Sequence, residues 1–220
     1  MEIIAYIKTD FSSKFAVPRQ SGLAECKGKI VFEKPYAVED AVRGLENFSH
    51  IWVLWGFSLC SSKKFTPTVR PPRLGGNKRV GVFATRSPFR PNNIGLSSLK
   101  LEKIVCENGK VELYVSGVDM VNNTPIYDIK PYLPYTDCHT DATGGFAQEK
   151  INYRLDVDEN DENLKDLNDD IKKEIIHILQ NDPRPAYQND ENRIYAFEYA
   201  DYKIKFSVKD TKVNIIKIKR

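Results

Sequence analysis

Acidic residues are missing from a long middle stretch of this 220-residue chain. Between Glu46 and Glu102 there is no Asp or Glu, while nine Lys or Arg occur. Ordinary surfaces mix charges of both signs. Such a stretch is therefore either a solvated basic face or a preformed pocket for an anionic or polyanionic ligand. Cysteine is scarce: Cys26, Cys60, Cys106 and Cys138 are widely spaced, with no Cys-x-x-Cys. This spacing excludes a zinc knuckle and a small disulfide scaffold, leaving reduced thiols. His50, His139 and His177 stand alone and compose no His-rich metal site. No apolar run approaches the roughly 20 residues of a membrane-spanning helix. The N-terminal apolar run is too short for a signal peptide, so a soluble cytoplasmic protein is expected. The phosphate-binding fingerprints Gly-x-Gly-x-x-Gly and Gly-x-x-x-x-Gly-Lys-Ser/Thr are absent, as are Gly-x-Ser-x-Gly and His-Glu-x-x-His. No repeat of 20–50 residues is visible.

What is there is organised around residues 70–96. Pro71, Pro72, Pro88 and Pro91 fix φ, and Gly75, Gly76 and Gly95 permit close backbone approach, so this loop is stiff and shaped. It carries Arg70, Arg73, Lys78, Arg79, Arg86 and Arg90. The opposite charge collects elsewhere, since residues 155–174 hold nine acids against three Lys. With a net charge of only +3, this separation implies that one part of the molecule faces a polyanion.

Read in order, the chain predicts strands over 2–8 and 29–33 and a short helix over Val38–Leu45 closed by Gly44. A central strand over Ser49–Phe57 and a buried strand over Val80–Ala84 follow. A hairpin, 98–105 with 111–117, turns at Glu-Asn-Gly. Asn122 and Asn123 suit left-handed turn positions, and 125–133 reads as the last strand of this part. The composition shifts near Thr140–Phe146. A strand over 151–157 and an amphipathic helix carrying Leu164, Leu167, Ile171, Ile175, Ile178 and Leu179 follow, ended by Pro183. Three strands, 193–200, 202–209 and 212–219, turn at Asp201 and Asp210. The expected fold is mainly β: an antiparallel β-barrel over 1–145 and a small α+β domain over 146–220.

Four polar, Gly/Pro-rich clusters lie between these strands: Pro18-Arg19-Gln20; the basic loop with Thr85, Arg86, Ser87 and Asn92; Ser116 to Asp119; and Asp128 to Tyr135. Each alone reads as a capped turn. Together they fit one pocket at a barrel end, because loops on a rigid scaffold carry function. Asp119 and Asp128 are the carboxylates for ribose hydroxyls or a proton, or else Asx-turn residues or partners of a nearby Arg.

Several of these segments resemble one family. They are residues 69–96 as a whole, Phe-Ala-Val-Pro-Arg-Gln-Ser-Gly (15–22), Thr-Pro-Ile-Tyr-Asp-Ile-Lys-Pro-Tyr-Leu-Pro-Tyr (124–135) and Asp-Pro-Arg-Pro-Ala-Tyr (182–187). In chain order, through both expected domains, they are similar to the TrmO (YaeB/TsaA-like) family. The resemblance implies a β-barrel, homodimeric methyltransferase dependent on S-adenosyl-L-methionine. It implies N6-methylation of N6-threonylcarbamoyladenosine (t6A) beside the anticodon of threonine tRNA. By analogy, cofactor contacts fall on Pro18, Arg19, Gln20, Arg86, Leu96, Ser116, Gly117, Val118 and Asp119. Ser58 and Leu59 align with a further contact pair that is commonly His-Gln in the family. Asn93 stands where the family usually has Pro.

A sulfonium methyl is already activated, so positioning and desolvation are the protein's main tasks. The acceptor nitrogen must lose a proton, for which Asp128 is the first candidate and Asp182 the second. Phosphate contacts are expected from Arg70, Arg73, Lys78, Arg79 and Arg90, with Asn92 in the same loop. Lys130, Arg184 and Tyr187 are candidates to orient the threonyl carboxylate or the RNA backbone. No metal is expected. A non-catalytic RNA- or nucleotide-binding barrel also explains the cations and strands, and a phosphate-ester hydrolase would require a metal.

Overall fold

The fold is described from a computed structural model covering residues 1–60, 65–71, 74, 78–150, 152–184, 188 and 190–220. Six strands close an antiparallel barrel: β1 (Ala5–Thr9), β2 (Lys27–Phe32), β3 (His50–Gly56), β6 (Ile94–Glu107), β7 (Lys110–Ser116) and β8 (Thr124–Pro131). Around the barrel the order is β1-β2-β7-β6-β3-β8, and β8 pairs back onto β1. A two-stranded ribbon, β4 (Thr68–Val69) with β5 (Val80–Gly81), stands outside it. Alternate strand residues point inward, so Ile7, Ile30, Ile51, Val53, Trp55, Leu99, Leu113, Val115 and Ile126 fill the interior.

The long strand β6 makes the corner. Its first half pairs with β3, up to Lys100 opposite His50, and its second half pairs with β7. A register shift between Leu101 and Lys103 bends the strand between the two partners. The β6–β7 hairpin turns at Asn108 and Gly109, both with positive φ, the geometry that a two-residue Asn-Gly loop adopts.

After the barrel comes a short helix, α1 (Pro134–Asp137), then α2 (Asp169–Gln180) and a sheet of β9 (Tyr195–Tyr199), β10 (Tyr202–Lys209) and β11 (Lys212–Lys219) in the order β11-β10-β9. Asn168 caps α2 through its side chain, and Asp169 and Asp170 occupy the first turn, where the helix dipole favours acids. Ile175, Ile178 and Leu179 join Phe197, Ile204, Phe206 and Val208 in a core continuous with that of the barrel. Phe11 and Tyr199 meet across the junction with ring centroids 4.9 Å apart.

Several local expectations are corrected. The Val38–Leu45 helix is instead two single 3₁₀ turns, Glu39–Ala41 and Leu45–Asn47, split by Gly44 at φ 89°. The Val80–Ala84 strand ends at Gly81 and continues as a 3₁₀ turn, Val82–Ala84, with Val82 alone buried. The 151–157 strand reduces to one bridge between Asp156 and Lys212, and Ile151 lies outside the described residues. Leu164 and Leu167 precede the helix; Asp161 and Asn168 each cap a new start, breaking one periodic pattern into two pieces. The hairpin's first strand begins at Ile94, not 98, and of the two turn asparagines only Asn123 has positive φ.

Candidate functional site

Strand polarity gathers the loops. The ends of β1, β3 and β7 and the starts of β2, β6 and β8 all lie at one end of the barrel. The loop carrying Pro18, Arg19 and Gln20 and the segment Ser116–Asp119 come together there. Gly22 N–H donates to the Gly117 carbonyl at 3.0 Å, and Gly117 N–H donates to the Cys26 carbonyl at 3.0 Å. Gly117 has φ 79°, and a Cβ there would come within 3.2 Å of the Gly22 nitrogen, so the close approach itself requires glycine.

Asp119 is the centre of this cluster. The Ser97 hydroxyl donates to Asp119 Oδ1 at 2.6 Å, and the buried Trp55 indole N–H donates to Ser97 Oγ at 2.9 Å. Burial pushes the Asp119 carboxyl up to about 6, opposed by the hydrogen bonds from Ser97 and the backbone and by the nearby Arg86 charge. Arg86 in turn donates to Gln20 Oε1, which joins the basic loop to the first loop. Pro18 and Val118 are buried, as the floor of the cluster. Ser58, Leu59 and Leu96 are exposed at the same barrel end. The Ser116 hydroxyl is turned to Glu102 at 2.6 Å, leaving its backbone toward the loops.

The C-terminal part reaches this cluster. At the end of α2, Asn181 Nδ2 donates both to the His177 carbonyl at 2.8 Å, closing the helix, and to the Leu23 carbonyl at 2.7 Å. That link delivers the turn at Asp182, whose φ is 49°, to the first loop. Arg19 donates to the Arg184 carbonyl at 2.8 Å. The buried Arg184 guanidinium forms a fork with Asp182, Nε to Oδ1 at 2.8 Å and Nη2 to Oδ2 at 2.9 Å. Burial raises the Asp182 carboxyl, but its bonds from Arg184 and Tyr153 outweigh this and hold it below the ordinary carboxylate range.

Other expected residues fall elsewhere. Asp128 forms an ion pair with Lys130 at 2.9 Å and lines a cavity of about 550 Å³ with Ile4, Phe32, Tyr36 and Val42. Across the sheet Asp128 lies opposite Leu54 of β3, which in turn lies opposite Leu96 of β6. Arg90 is occupied in its own loop, donating to the Val82 and Thr85 carbonyls at 3.1 and 2.7 Å. Arg79 donates to Thr68 Oγ1 at 2.8 Å, and Arg70, Lys78, Arg79 and Asn92 are exposed. Arg73 and Tyr187 lie outside the described residues. Among the described residues no group of three or more His, Cys, Asp or Glu is arranged to hold a metal.

The Trp55–Ser97–Asp119 relay escaped the sequence reading. Its one signal is a Ser at an inward position of a strand, two residues from Gly95 and two from Leu99. That signal appears only once the strand is seen to begin at Ile94.

The geometry is that of a closed barrel presenting a polar cluster at one end, backed by a helix end from the C-terminal part and flanked by an acid-free cationic loop. Two family models match this chain: the tRNA-methyltransferase O N-terminal domain over residues 6–138 and the TrmO C-terminal domain over 148–220. The chain belongs to the TrmO family. It is 41% identical over 218 residues to the tRNA (adenine(37)-N6)-methyltransferase of Escherichia coli K12, covering 95% of this chain and 93% of that protein. It is 34% identical over 141 residues to an S-adenosyl-L-methionine-binding protein of Archaeoglobus fulgidus, covering 64% of this chain and 94% of the relative. A crystal structure of TrmO superposes with TM-score 0.81 at 30% identity, covering 99% of this chain and 97% of the other. One from Pseudomonas aeruginosa gives 0.77 at 28%, with the same coverage.

Proposed function

We propose that this chain uses S-adenosyl-L-methionine to methylate N6 of the threonylcarbamoylated adenosine at position 37 of threonine tRNA, as a cytoplasmic homodimer. Its membership of the TrmO family, along both the barrel and the C-terminal part, makes it a tRNA (adenine37-N6)-methyltransferase. The observation carrying the site assignment is the meeting of Asp119, Arg86 and Gln20 at one barrel end. We also keep 1–145 and 146–220 as the proposed domain division.

The residues fit the cofactor. The ligand carries ribose hydroxyls, an ammonium, a carboxylate and a sulfonium. Asp119 offers a buried acceptor for hydroxyls or ammonium, and Arg86 offers a cation for the carboxylate. Backbone groups of 18–22 and 116–119 line the rest. When bound, the cofactor supplies a methyl group already activated on sulfur. The chain's own work is then orientation and exclusion of water. Arg19, held to the Arg184 carbonyl, fixes the C-terminal turn over the first loop and brings Arg184 beside the site. Asp128 and Asp182 are both proposed for the proton of the acceptor nitrogen. Asp182 lies in the turn that Asn181 ties to the first loop, while Asp128 forms an ion pair with Lys130 at 2.9 Å.

The test is mass spectrometry of tRNA nucleosides from a strain lacking this protein. Loss of the N6-methyl form of t6A, restored by the wild-type chain but not by Asp119→Ala, is the expected result. An unchanged nucleoside profile would sink the reading.

A further inference from the structure

The turn after β5 holds an aromatic ring out in water. Phe83 is 69% exposed, yet the turn carrying it is tightly fixed. Buried Val82 anchors it, its N–H donating to the Pro67 carbonyl at 3.0 Å. Thr85 donates to the Val82 carbonyl through both N–H (3.1 Å) and Oγ1 (2.8 Å), and Arg90 adds its two bonds to the same turn. The Arg90 guanidinium lies 5.3 Å from the Phe83 ring centroid. Phe65, 48% exposed, stacks beside Phe83 at 6.1 Å with 25° between ring planes. A loop built only for stability would fold such rings inward, because exposed aromatic surface forfeits the gain of burial. Here the hydrogen bonds hold the turn that carries the Phe83 ring outward, with Phe65 stacked beside that ring and a cation against it.

We propose that Phe83 and Phe65 form a stacking platform for an unpaired nucleobase of the RNA substrate. Single-stranded RNA is recognised by splaying bases onto aromatic and guanidinium planes while cations follow the phosphates. The platform sits within the acid-free stretch 47–101, and the exposed Lys78, Arg79 and Arg86 flank Phe83 along the chain, where they can serve phosphates. The same charge argues against a second copy as occupant, since a two-fold contact would set the cationic loop against itself. The inference rests on tRNA being the substrate.

The experiment uses the whole protein with Phe83→Ala, Phe83→Leu and Phe83→Trp. An anticodon stem-loop carrying 2-aminopurine beside the target adenosine reports stacking, and single-turnover methylation over a range of tRNA concentrations reports affinity. The Ala and Leu variants should weaken RNA affinity by roughly 5- to 100-fold. They should lose the fluorescence quenching while binding S-adenosyl-L-methionine as tightly as wild type in calorimetry. The Trp variant should restore both. Wild-type RNA affinity in the Ala and Leu variants overturns the platform. So does a change of oligomeric state on sedimentation, which would make the patch a contact between copies. Quenching without methylation by the wild-type chain would instead count against the proposed activity and leave the platform standing.

Discussion

Asp119 is a carboxylate whose surroundings pull in two directions. Burial favours the neutral form, while the Ser97 hydroxyl, backbone N–H groups and Arg86 favour the anion. A value of about 6 in the folded chain lies above the unfolded reference of 3.8. Between those values the folded chain binds the extra proton, so this group makes stability fall as pH rises through that window. In its proposed role as a cofactor ligand it works the other way, because the anion is the better acceptor. Affinity for S-adenosyl-L-methionine, read by calorimetry, should weaken as pH falls through about 6. Asp119→Asn should flatten that profile, and Ser97→Ala should move its midpoint upward by removing the bond that favours the anion. A profile identical in all three proteins would remove Asp119 from the site. The two proposed bases separate at the same scale. Asp182→Asn loosens the buried Arg184 fork, so tRNA affinity and rate should fall together. Asp128 pairs with exposed Lys130 at 2.9 Å. As a base, Asp128 acts in the chemical step, so Asp128→Asn should lower single-turnover methylation by ~10²-fold with cofactor and tRNA affinity nearly unchanged. A wild-type rate in that variant would move the proposed base to Asp182.

Two elements decide whether the site holds its shape. Trp55 of β3 lies across Gly95 of β6, and a Cβ on Gly95 would come within 2.2 Å of the indole. Gly95→Ala should therefore displace Trp55 from Ser97, shift tryptophan emission to the red and cost about 2–4 kcal/mol in urea unfolding, as overpacking and a lost buried hydrogen bond combine. The other element is α2. Its buried Glu174 accepts from Tyr199 Oη at 3.0 Å and from Lys27 N–H at 3.2 Å, joining helix, C-terminal sheet and barrel. Burial raises the Glu174 carboxyl, and burial likewise pushes the adjoining Cys26 thiol up to about 12, keeping it protonated. The strands, the closing hairpin and the amphipathic helix were legible because their signals are local: alternation, Asn-Gly, and a stripe of Ile and Leu. The loops' common address was legible only through their composition. What stayed hidden were the contacts between distant residues, such as Ser97 with Asp119, Arg19 with Arg184 and Glu174 with Lys27. The two sides of each carry no shared local pattern. The 3₁₀ turns at 39–47 hid for another reason. Val38, Val42 and Leu45 have helical spacing, but Gly44 in a left-handed conformation interrupts the run that the spacing suggests.

Across the whole molecule the charges are sorted rather than balanced. The net +3 conceals a cationic loop end and an acidic segment at 155–174 on the C-terminal part. A polyanion approaching this molecule is drawn to the cationic loop that carries Arg86 and Phe83 and is repelled by the acidic segment. Binding to tRNA should then release counterions, and the logarithm of affinity should fall linearly with the logarithm of salt concentration. Lys78 and Arg79 are exposed, and Arg79 is oriented by its bond to Thr68. Replacing both with Ala should lower the magnitude of that slope by roughly 1–2 and weaken affinity by a similar factor for any RNA sequence, because phosphate contacts carry no sequence information. Neutralising Asp158 and Glu159 together should leave the slope close to wild type, since those charges touch no phosphate. Filter binding or fluorescence anisotropy over 50–300 mM salt, about the range in which such slopes are read, separates the two. A salt-independent affinity, or a slope that changes equally in both double variants, would mean that the cationic loop is not the RNA face. An acid-free stretch of 55 residues would then be a solvated surface, and the aromatic rings on it would need another partner.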